Sequence, residues 1–558
     1  MRNSARIGAL TAGATALSLV LTGCGTGGGS ATADTAELDI ATLTSAQSLD
    51  PATALGSALP YFQAVYDTLI KRAPDGTYKP MLATKWTYDK SRTQLSLTLR
   101  QGVKFSDGAA FDAQAVKVNL EHFKGGGGGG AKYLAALKSV KVADATHVTL
   151  VLATPDPAML FYLSDAAGLM ASPKKLAGGS LKTAPVGTGP YTLDKARTAI
   201  GSKYVFERKK DYWGDELPYK TLTISLFDNE TAVVNGLKTG QLDSAVLQDA
   251  NQQASVESDT KLTKSKDSFD FQGLLLFDRG GVRTPQLKDA RVRQALNYAL
   301  DRETMLEKIR GGRGETTDQV FGPETKAYDK SLDTYYPHDP AKAKKLLAQA
   351  GYAKGFTLKL PRMSAIVNDA LASSIEADFK AVGVKVKWDQ LDGATALQKI
   401  FREKAYSGMV MNIGQSSIDW VTMNDLVVPG AFNPFGSSDP TVTKLLPQVQ
   451  EASGTKAGDD ASRALNKHLV EEGWFAPFYR TSFPTVTKLL PQVQEASGTK
   501  AGDDASRALN KHLVEEGWFA PFYRTSFLTV TKLLPQVQEA SGTKAGDDAS
   551  RALNKHLV

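Results

Sequence analysis

Apolar positions along this chain follow two periods that take turns. Positions 38–45, LDIATLTS, alternate as a first strand would, and SLDPA at 48–52 reads as a turn. In 61–70, Phe62, Val65, Tyr66 and Leu69 fall at helical spacing, which predicts a helix. Positions 94–100 alternate strictly, with Leu95, Leu97 and Leu99 on one face, and predict a strand; 147–153 predict another. Asp107-Gly108 marks a turn, and Asp112 is placed to cap the helix that follows. Over 289–309, Val292, Ala295, Leu296, Ala299 and Leu300 form one apolar face, with Asp289 and Asp301 as candidate caps of a helix pair. The stretch 339–352 carries full helix punctuation: Asp339 at the cap, Pro340 in the first turn, Ala343, Leu346, Leu347 and Ala350 inward, Gly351 past the end. Positions 382–388 read as a strand. Helices and strands interleave throughout, the pattern of a mixed α/β body.

The chain ends in copies of itself. The unit PTVTKLLPQVQEASGTKAGDDASRALNKHLVEEGWFAPFYRTSF fills 440–483 and recurs, letter for letter, at 484–527. A third copy, with Leu528 in place of the proline, stops at Val558 before its own EEGWFAPFYRTSF. Helical and propeller arrays have periods of this order, but they keep a pattern and vary the rest. The first copy runs on from NPFGSSDP as a helix capped at Asp439-Pro440, a second helix over 459–472, and a strand. The copies at 484–558 are therefore expected to be redundant.

The first residues change the picture from a free body to a tethered one. Arg2 and Arg6 precede a short apolar run at 7–21, too short to span a bilayer and right for a signal peptide over 1–23. Leu21-Thr22-Gly23-Cys24 follows, and it resembles the bacterial lipobox, which implies a lipid on Cys24. Positions 24–37 are rich in Gly, Ser, Thr and Ala and are expected to be a flexible leash. Cys24 is the only cysteine, so no internal disulfide is expected. The implied place is the extracytoplasmic face of the cell membrane.

Charge and candidate chemistry narrow the functions. The 66 basic and 59 acidic residues leave a formal charge of +7 spread over 558 residues, with no long basic run, so no nucleic-acid partner is expected. The glycine run at 125–130 is followed by Ala131-Lys132-Tyr133 and lacks the Lys-Ser/Thr of a phosphate loop; it reads as a flexible loop. Thr192 stands where a dinucleotide motif beginning at Gly187 needs another glycine, so Gly187-Thr188-Gly189 reads as a turn. His122, His147 and His338 are the independent histidines; His468, His512 and His556 are one position copied, and none has a metal-ligand spacing. There is no nucleophile elbow, and the one cysteine is expected to be taken up by lipid, which leaves no thiol nucleophile. No cofactor and no enzymatic activity are expected. A surface-anchored enzyme built on a carboxylate pair stays open as the alternative, because such pairs have no sequence spacing.

Several separated blocks then fall into one order: SLDPA (48–52), YDTLI (66–70), PMLATKW (80–86), LTLRQGVKFSDGAAFDAQAVK (97–117), VGTGPYTL (186–193), KDYWGDELPYKTLTI (210–224), LKTGQLD (237–243), DARVRQALNYALDRE (289–303) and AKKLLAQAGYAKGF (343–356). In these the chain resembles the family 5 extracellular solute-binding proteins of ABC importers. The resemblance implies an α/β, two-lobed, periplasmic-binding-protein-like fold (type II-like) with two hinge crossings: lobe I over 38–270, lobe II over 271–473, and a return strand over 474–483. It implies a monomer that takes a peptide or similar small solute between the lobes and delivers it to an ABC permease with its ATPase. An oligosaccharide is the other solute class left open. In peptide-binding members, an acidic residue in a Gly-Trp-x-x-Asp-Tyr type of segment meets the peptide ammonium. The corresponding stretch here, 412–421, is NIGQSSIDWV; Asp419 and Trp420 take that role, with Asp419 five residues after Gly414 rather than four. Asn412, Gln415 and Asn433 are the candidates for a neutral or hydroxylated solute.

Overall fold

The structure, a computed structural model, describes residues 37–488 apart from 47, 55, 74–76, 216, 218, 260–261, 265–268, 365, 392, 415, 417, 431 and 483–484. The leader, Cys24, the leash up to residue 36 and all of the chain after residue 488 lie outside the described residues.

Lobe I is carried by a seven-stranded sheet in the order Leu262–Lys264, Thr485–Lys488, Ser244–Val246, Glu37–Thr42, Thr221–Leu226, Lys203–Arg208 and Tyr191–Leu193. Glu37–Thr42 runs parallel to both of its neighbours, and the outer pairs are antiparallel. A four-stranded antiparallel sheet, Ala83–Tyr88, Gln94–Leu99, His147–Leu152 and Leu137–Val142, extends the lobe. The strict alternation of 94–99 has its cause here, because Leu95, Leu97 and Leu99 are buried while Gln94 and Ser96 are exposed.

Local capping chemistry sets most helix starts. Asp112 Oδ1 accepts the Ala115 N–H at 2.8 Å to open Ala113–Gly125. Asp289, Asp301 and Asp339 do the same for Ala290–Ala299, Arg302–Arg310 and Pro340–Gln349. The helix expected over 61–70 is shorter, Leu59–Gln63. Its continuation gives its backbone to other segments: Ala64 O accepts from Tyr191 N at 3.0 Å, Val65 O from Gly189 N at 2.7 Å, and Leu69 N donates to Gly168 O at 2.9 Å. Tertiary hydrogen bonds win over helical spacing there, and Val65, Tyr66 and Leu69 are buried all the same.

Two glycine motifs prove to be close approaches rather than loose turns. A Cβ at Gly128 would lie 2.0 Å from the Ala52 carbonyl oxygen, so the glycine run is seated against the SLDPA block. A Cβ at Gly189 would lie 2.4 Å from the Val65 carbonyl group. Beside it, Thr188 Oγ1 accepts the Asp67 N–H at 3.3 Å. The Asp67 carboxylate accepts from Tyr212 Oη at 3.0 Å and Trp213 Nε1 at 2.9 Å. The blocks YDTLI, VGTGPYTL and KDYWG are thus one clamp.

The chain leaves lobe I through Phe269–Leu276 and returns through Phe475–Ser482, and these two strands pair antiparallel at the centre of the lobe II sheet. Gly408–Ile413 flanks the outgoing strand and Glu315–Thr316 the return strand. Phe271 and Leu275 enter a core shared with lobe I, while Leu274 and Leu276 enter the core of lobe II. Burial on both faces explains the unbroken apolar run at 274–277. The helix pair of 290–310 grips the return strand: Asn297 Nδ2 donates to Phe475 O at 3.1 Å and Arg302 Nε to Pro477 O at 2.7 Å. After the return strand, Thr485–Lys488 enters the lobe I sheet, inside the stretch read from the sequence as surplus.

Replacing Gly189 by alanine forces a methyl into backbone that cannot yield. We expect a loss of about 1–3 kcal/mol and a melting temperature lower by several degrees. Gly125→Ala, where a Cβ meets nothing within 4 Å, is expected to leave it nearly unchanged.

Candidate functional site

The lobes meet along the helix Asp419–Leu426, which the NIGQSSIDWV stretch opens. Trp420, Val421, Met423 and Leu426 are buried in the shared core with Tyr162 and Leu163 of lobe I. Polar groups of the same helix reach across. Asn424 Nδ2 donates to Tyr162 Oη at 3.2 Å, and Asp425 forms an ion pair with Lys132. Tyr133 stacks on Tyr162 with centroids 4.7 Å apart. A second contact between the halves comes from Arg92, whose Nη1 donates to Ser453 O at 3.2 Å.

At one end of this seam lies Asp156, between Pro155 and Pro157, with only 8% of its surface exposed. Its Oδ1 accepts the Ala158 N–H at 2.9 Å. The Trp420 indole N–H is turned toward the carboxyl group but makes no hydrogen bond of good geometry. No ion pair reaches Asp156 among the described residues. Burial pushes its pKa up to about 6, against the lowering effect of the Ala158 N–H and the indole. Burial, with the Asp156 charge next, raises the Tyr88 hydroxyl, and that hydroxyl is buried without a hydrogen-bond partner. A desolvated carboxylate therefore faces an indole and a phenol with no ion pair among the described residues, and the Arg92 guanidinium lies 5.7 Å from the centroid of that phenol ring.

The residues singled out from the sequence do not all gather here. Trp420 does. Asp419 begins the helix one residue away, and its carboxylate is engaged: Oδ1 accepts the Lys326 N–H at 3.1 Å, and the Ala327 N–H and the Ser462 side chain also bond to it. Asn412 lies on the strand Gly408–Ile413, on the face it shares with Val410, which belongs to the lobe II core. Met409 and Ile413 take the opposite face and enter the shared core, so Asn412 points away from the seam. Asn433 is fully buried, and all of its amide capacity is used. Oδ1 accepts from Arg279 Nη2 at 2.9 Å and Ser437 N at 3.0 Å, and Nδ2 donates to Val427 O and Ser437 O at 2.8 and 2.9 Å. It clamps its own loop. Gln415 lies outside the described residues. The sequence reading missed Asp156, Tyr88, Tyr162 and Lys132, which come from separate segments of lobe I; the two flanking prolines of Asp156 were the one local cue. Among the described residues, no group of acidic, His or Cys side chains could hold a metal ion, and no helix is long and apolar enough to cross a membrane.

An unfolded aspartate titrates near 3.8, and Asp156 in the fold near 6. Between those values the folded state holds more protons, so the penalty is complete above pH 6 and relieved as pH falls toward 4. Asp156→Asn is expected to stabilise the protein at pH 7, on the order of 1–3 kcal/mol. It should also flatten the rise in stability that the parent shows between pH 6 and pH 4. Urea melts of both proteins at several pH values check this.

Comparison with known proteins gives the geometry a setting. A family model described as bacterial extracellular solute-binding proteins, family 5, middle, matches residues 77–431, well over half of the chain. The chain is 29% identical over 503 residues to Protein XP55 of Streptomyces lividans, covering 85% of this chain and 88% of that protein. It is 32% identical over 306 residues to the glutathione-binding protein GsiB of Salmonella paratyphi A, covering 53% of this chain and 58% of that one. Among solved structures, the ABC transporter-associated periplasmic binding protein DppA of Helicobacter pylori, in complex with the peptide STSA, shares the fold with a TM-score of 0.72 at 20% identity, over 81% of this chain and 94% of its own. The α/β, two-lobed architecture is that of these binding proteins. The chain belongs to family 5 of the bacterial extracellular solute-binding proteins.

Proposed function

We propose that this chain is the lipid-anchored capture subunit of an ABC importer, working on the extracytoplasmic face of the membrane. The lobes close on a peptide or similar small solute that carries a positive charge, and the closed form delivers it to the permease and its ATPase. Cys24 carries the lipid, and the leash to residue 37 gives the body its reach. One acyl chain binds a bilayer only marginally, so a firm anchor calls for a second on the same residue.

The observation that carries the reading is the buried Asp156, which has no ion pair among the described residues. A carboxylate taken out of water is costly until it is paired. An ammonium arriving in the cleft supplies the pair, and the Trp420 indole stands beside the same carboxylate. This moves the charge-recognition role from Asp419 to Asp156. Asp419, bonded to the Lys326 and Ala327 amides, acts as a positioning residue that fixes the start of the Trp420 helix. The relatives support the solute class: one is named for glutathione, and one solved neighbour holds a peptide.

The test is a thermal-shift and calorimetric screen of the full chain with Cys24→Ser, against di- to pentapeptides, their N-acetylated forms and oligosaccharides. A ligand at 100 times its dissociation constant adds about 2.7 kcal/mol. Free-amine peptides are expected to raise the melting temperature and N-acetylated ones to fail. Asp156→Asn is expected to bind free-amine peptides at least tenfold more weakly while melting higher. Equal binding of acetylated peptides, or binding of oligosaccharides alone, would overturn the reading.

A further inference from the structure

The tetrapeptide Thr-Val-Thr-Lys occurs at 441–444, 485–488 and 529–532. Its first copy lies in the helix Pro440–Glu451. Its second copy is the strand Thr485–Lys488. The same residues thus adopt two secondary structures in one molecule. The difference lies in what precedes them. Asp439 Oδ1 accepts the N–H groups of Thr441 at 2.8 Å and Val442 at 2.9 Å, and Pro440 sits in the first turn, so the first copy has its cap. In the second copy, Phe483 occupies the place of Asp439 and has no side-chain acceptor to offer. Without a cap, a β-branched Thr-Val-Thr sequence fits a strand at least as well as a helix.

The strand has a complete site in lobe I. On one side Ser244, Ala245 and Val246 pair with Thr487, Val486 and Thr485; on the other Leu262, Thr263 and Lys264 pair with Lys488, Thr487 and Val486. Ser244 Oγ also donates to Val486 O at 3.3 Å. Val486 is fully buried, in a core with Ala41, Val234, Leu237 and Ala245. In the strand order, Thr485–Lys488 is what connects Leu262–Lys264 to the rest of the sheet. Leu262–Lys264 is in turn the last strand of lobe I before the outgoing crossing begins at Phe269.

We infer that lobe I contains a strand-addition site, between Ser244–Val246 and Leu262–Lys264, and that its occupant is the opening of the second repeat copy. The duplication supplies a structural part: its first residues close the lobe I sheet and hold the strand that feeds the hinge. The third copy carries the same tetrapeptide at 529–532 and competes for one site. Position decides the contest. The return strand ends at Ser482, next to the second copy, while the third must close a far longer loop, and that entropic cost rises with loop length.

Cys24 is the only cysteine, so Cys24→Ser gives a thiol-free full chain in which engineered pairs report directly. Ala245 and Val486 are register partners on the same buried face, within reach of a disulfide. Ala245→Cys with Val486→Cys is expected to crosslink nearly completely under mild oxidation, and Ala245→Cys with Val530→Cys hardly at all, read by peptide mass mapping. Val486→Asp is expected to lower the melting temperature by several degrees, and Val530→Asp to leave it unchanged. If the 245–486 pair stays reduced, or the 245–530 pair forms as readily, the assignment of the site to the second copy is wrong. None of these readings needs a solute, so they stand or fall apart from the binding proposal.

Discussion

The antiparallel pairing of Phe269–Leu276 with Phe475–Ser482 is the constraint on which the rest of this molecule depends. These two strands are the centre of one lobe's sheet and the passage to the other lobe. Their side chains alternate between a core that both lobes share and a core that belongs to lobe II alone. Neither strand can shift by one residue without exchanging the two faces. A register shift between Gln272 and Gly273 places Gly273 against Pro477, where a Cβ would meet the proline Cα at 2.6 Å. Bulges of this kind increase local twist. Buried arginines fasten the pair: Arg480 Nη2 donates to Thr317 Oγ1, Phe321 O and Asp333 Oδ1, and Arg279 stacks on Trp474 at 4.0 Å. Burial pushes the Arg279 pKa down to about 9, a sign of how fully it is removed from water.

Against that fixed frame, the seam at Asp419–Leu426 is held differently. Its apolar side is packed as a core, but its polar side is a short set of contacts between single residues: Asn424 with Tyr162, Asp425 with Lys132, and the Trp420 indole facing Asp156. Asp156 is the costly member. A buried carboxylate with no ion pair among the described residues weakens the resting molecule, and in the proposed function a charged guest relieves the same desolvation that burial imposed. Binding sites often trade stability for function in this manner.

Much of the fold was legible because helix caps are local. Asp112, Asp289, Asp301, Asp339 and Asp439 each bond to amides two or three residues on, and the sequence alone places them. Long-range backbone bonding was not legible. It cut the helix expected over 61–70 short after Gln63 and turned a glycine run that reads as slack into a tight seat on Ala52. The site was legible only in its local half. Trp420 belongs to a recognisable stretch, whereas Asp156, Tyr88, Tyr162 and Lys132 are brought together by tertiary structure from four places in the chain. Thr-Val-Thr-Lys marks the limit of local reading: identical letters, helix after Asp439 and strand after the return crossing.

In the proposed function the two lobes, joined by the paired crossings, close across the Trp420 seam when a solute arrives. Distance measurements between spin labels on the two lobes test it most directly. Lys138 and Lys385 are exposed positions on lobe I and lobe II, and both can be changed to cysteine in the Cys24→Ser chain. Adding a peptide that raises the melting temperature is expected to narrow the distance distribution and shift it to the shorter, closed value. An unchanged distribution with the peptide demonstrably bound would contradict the account.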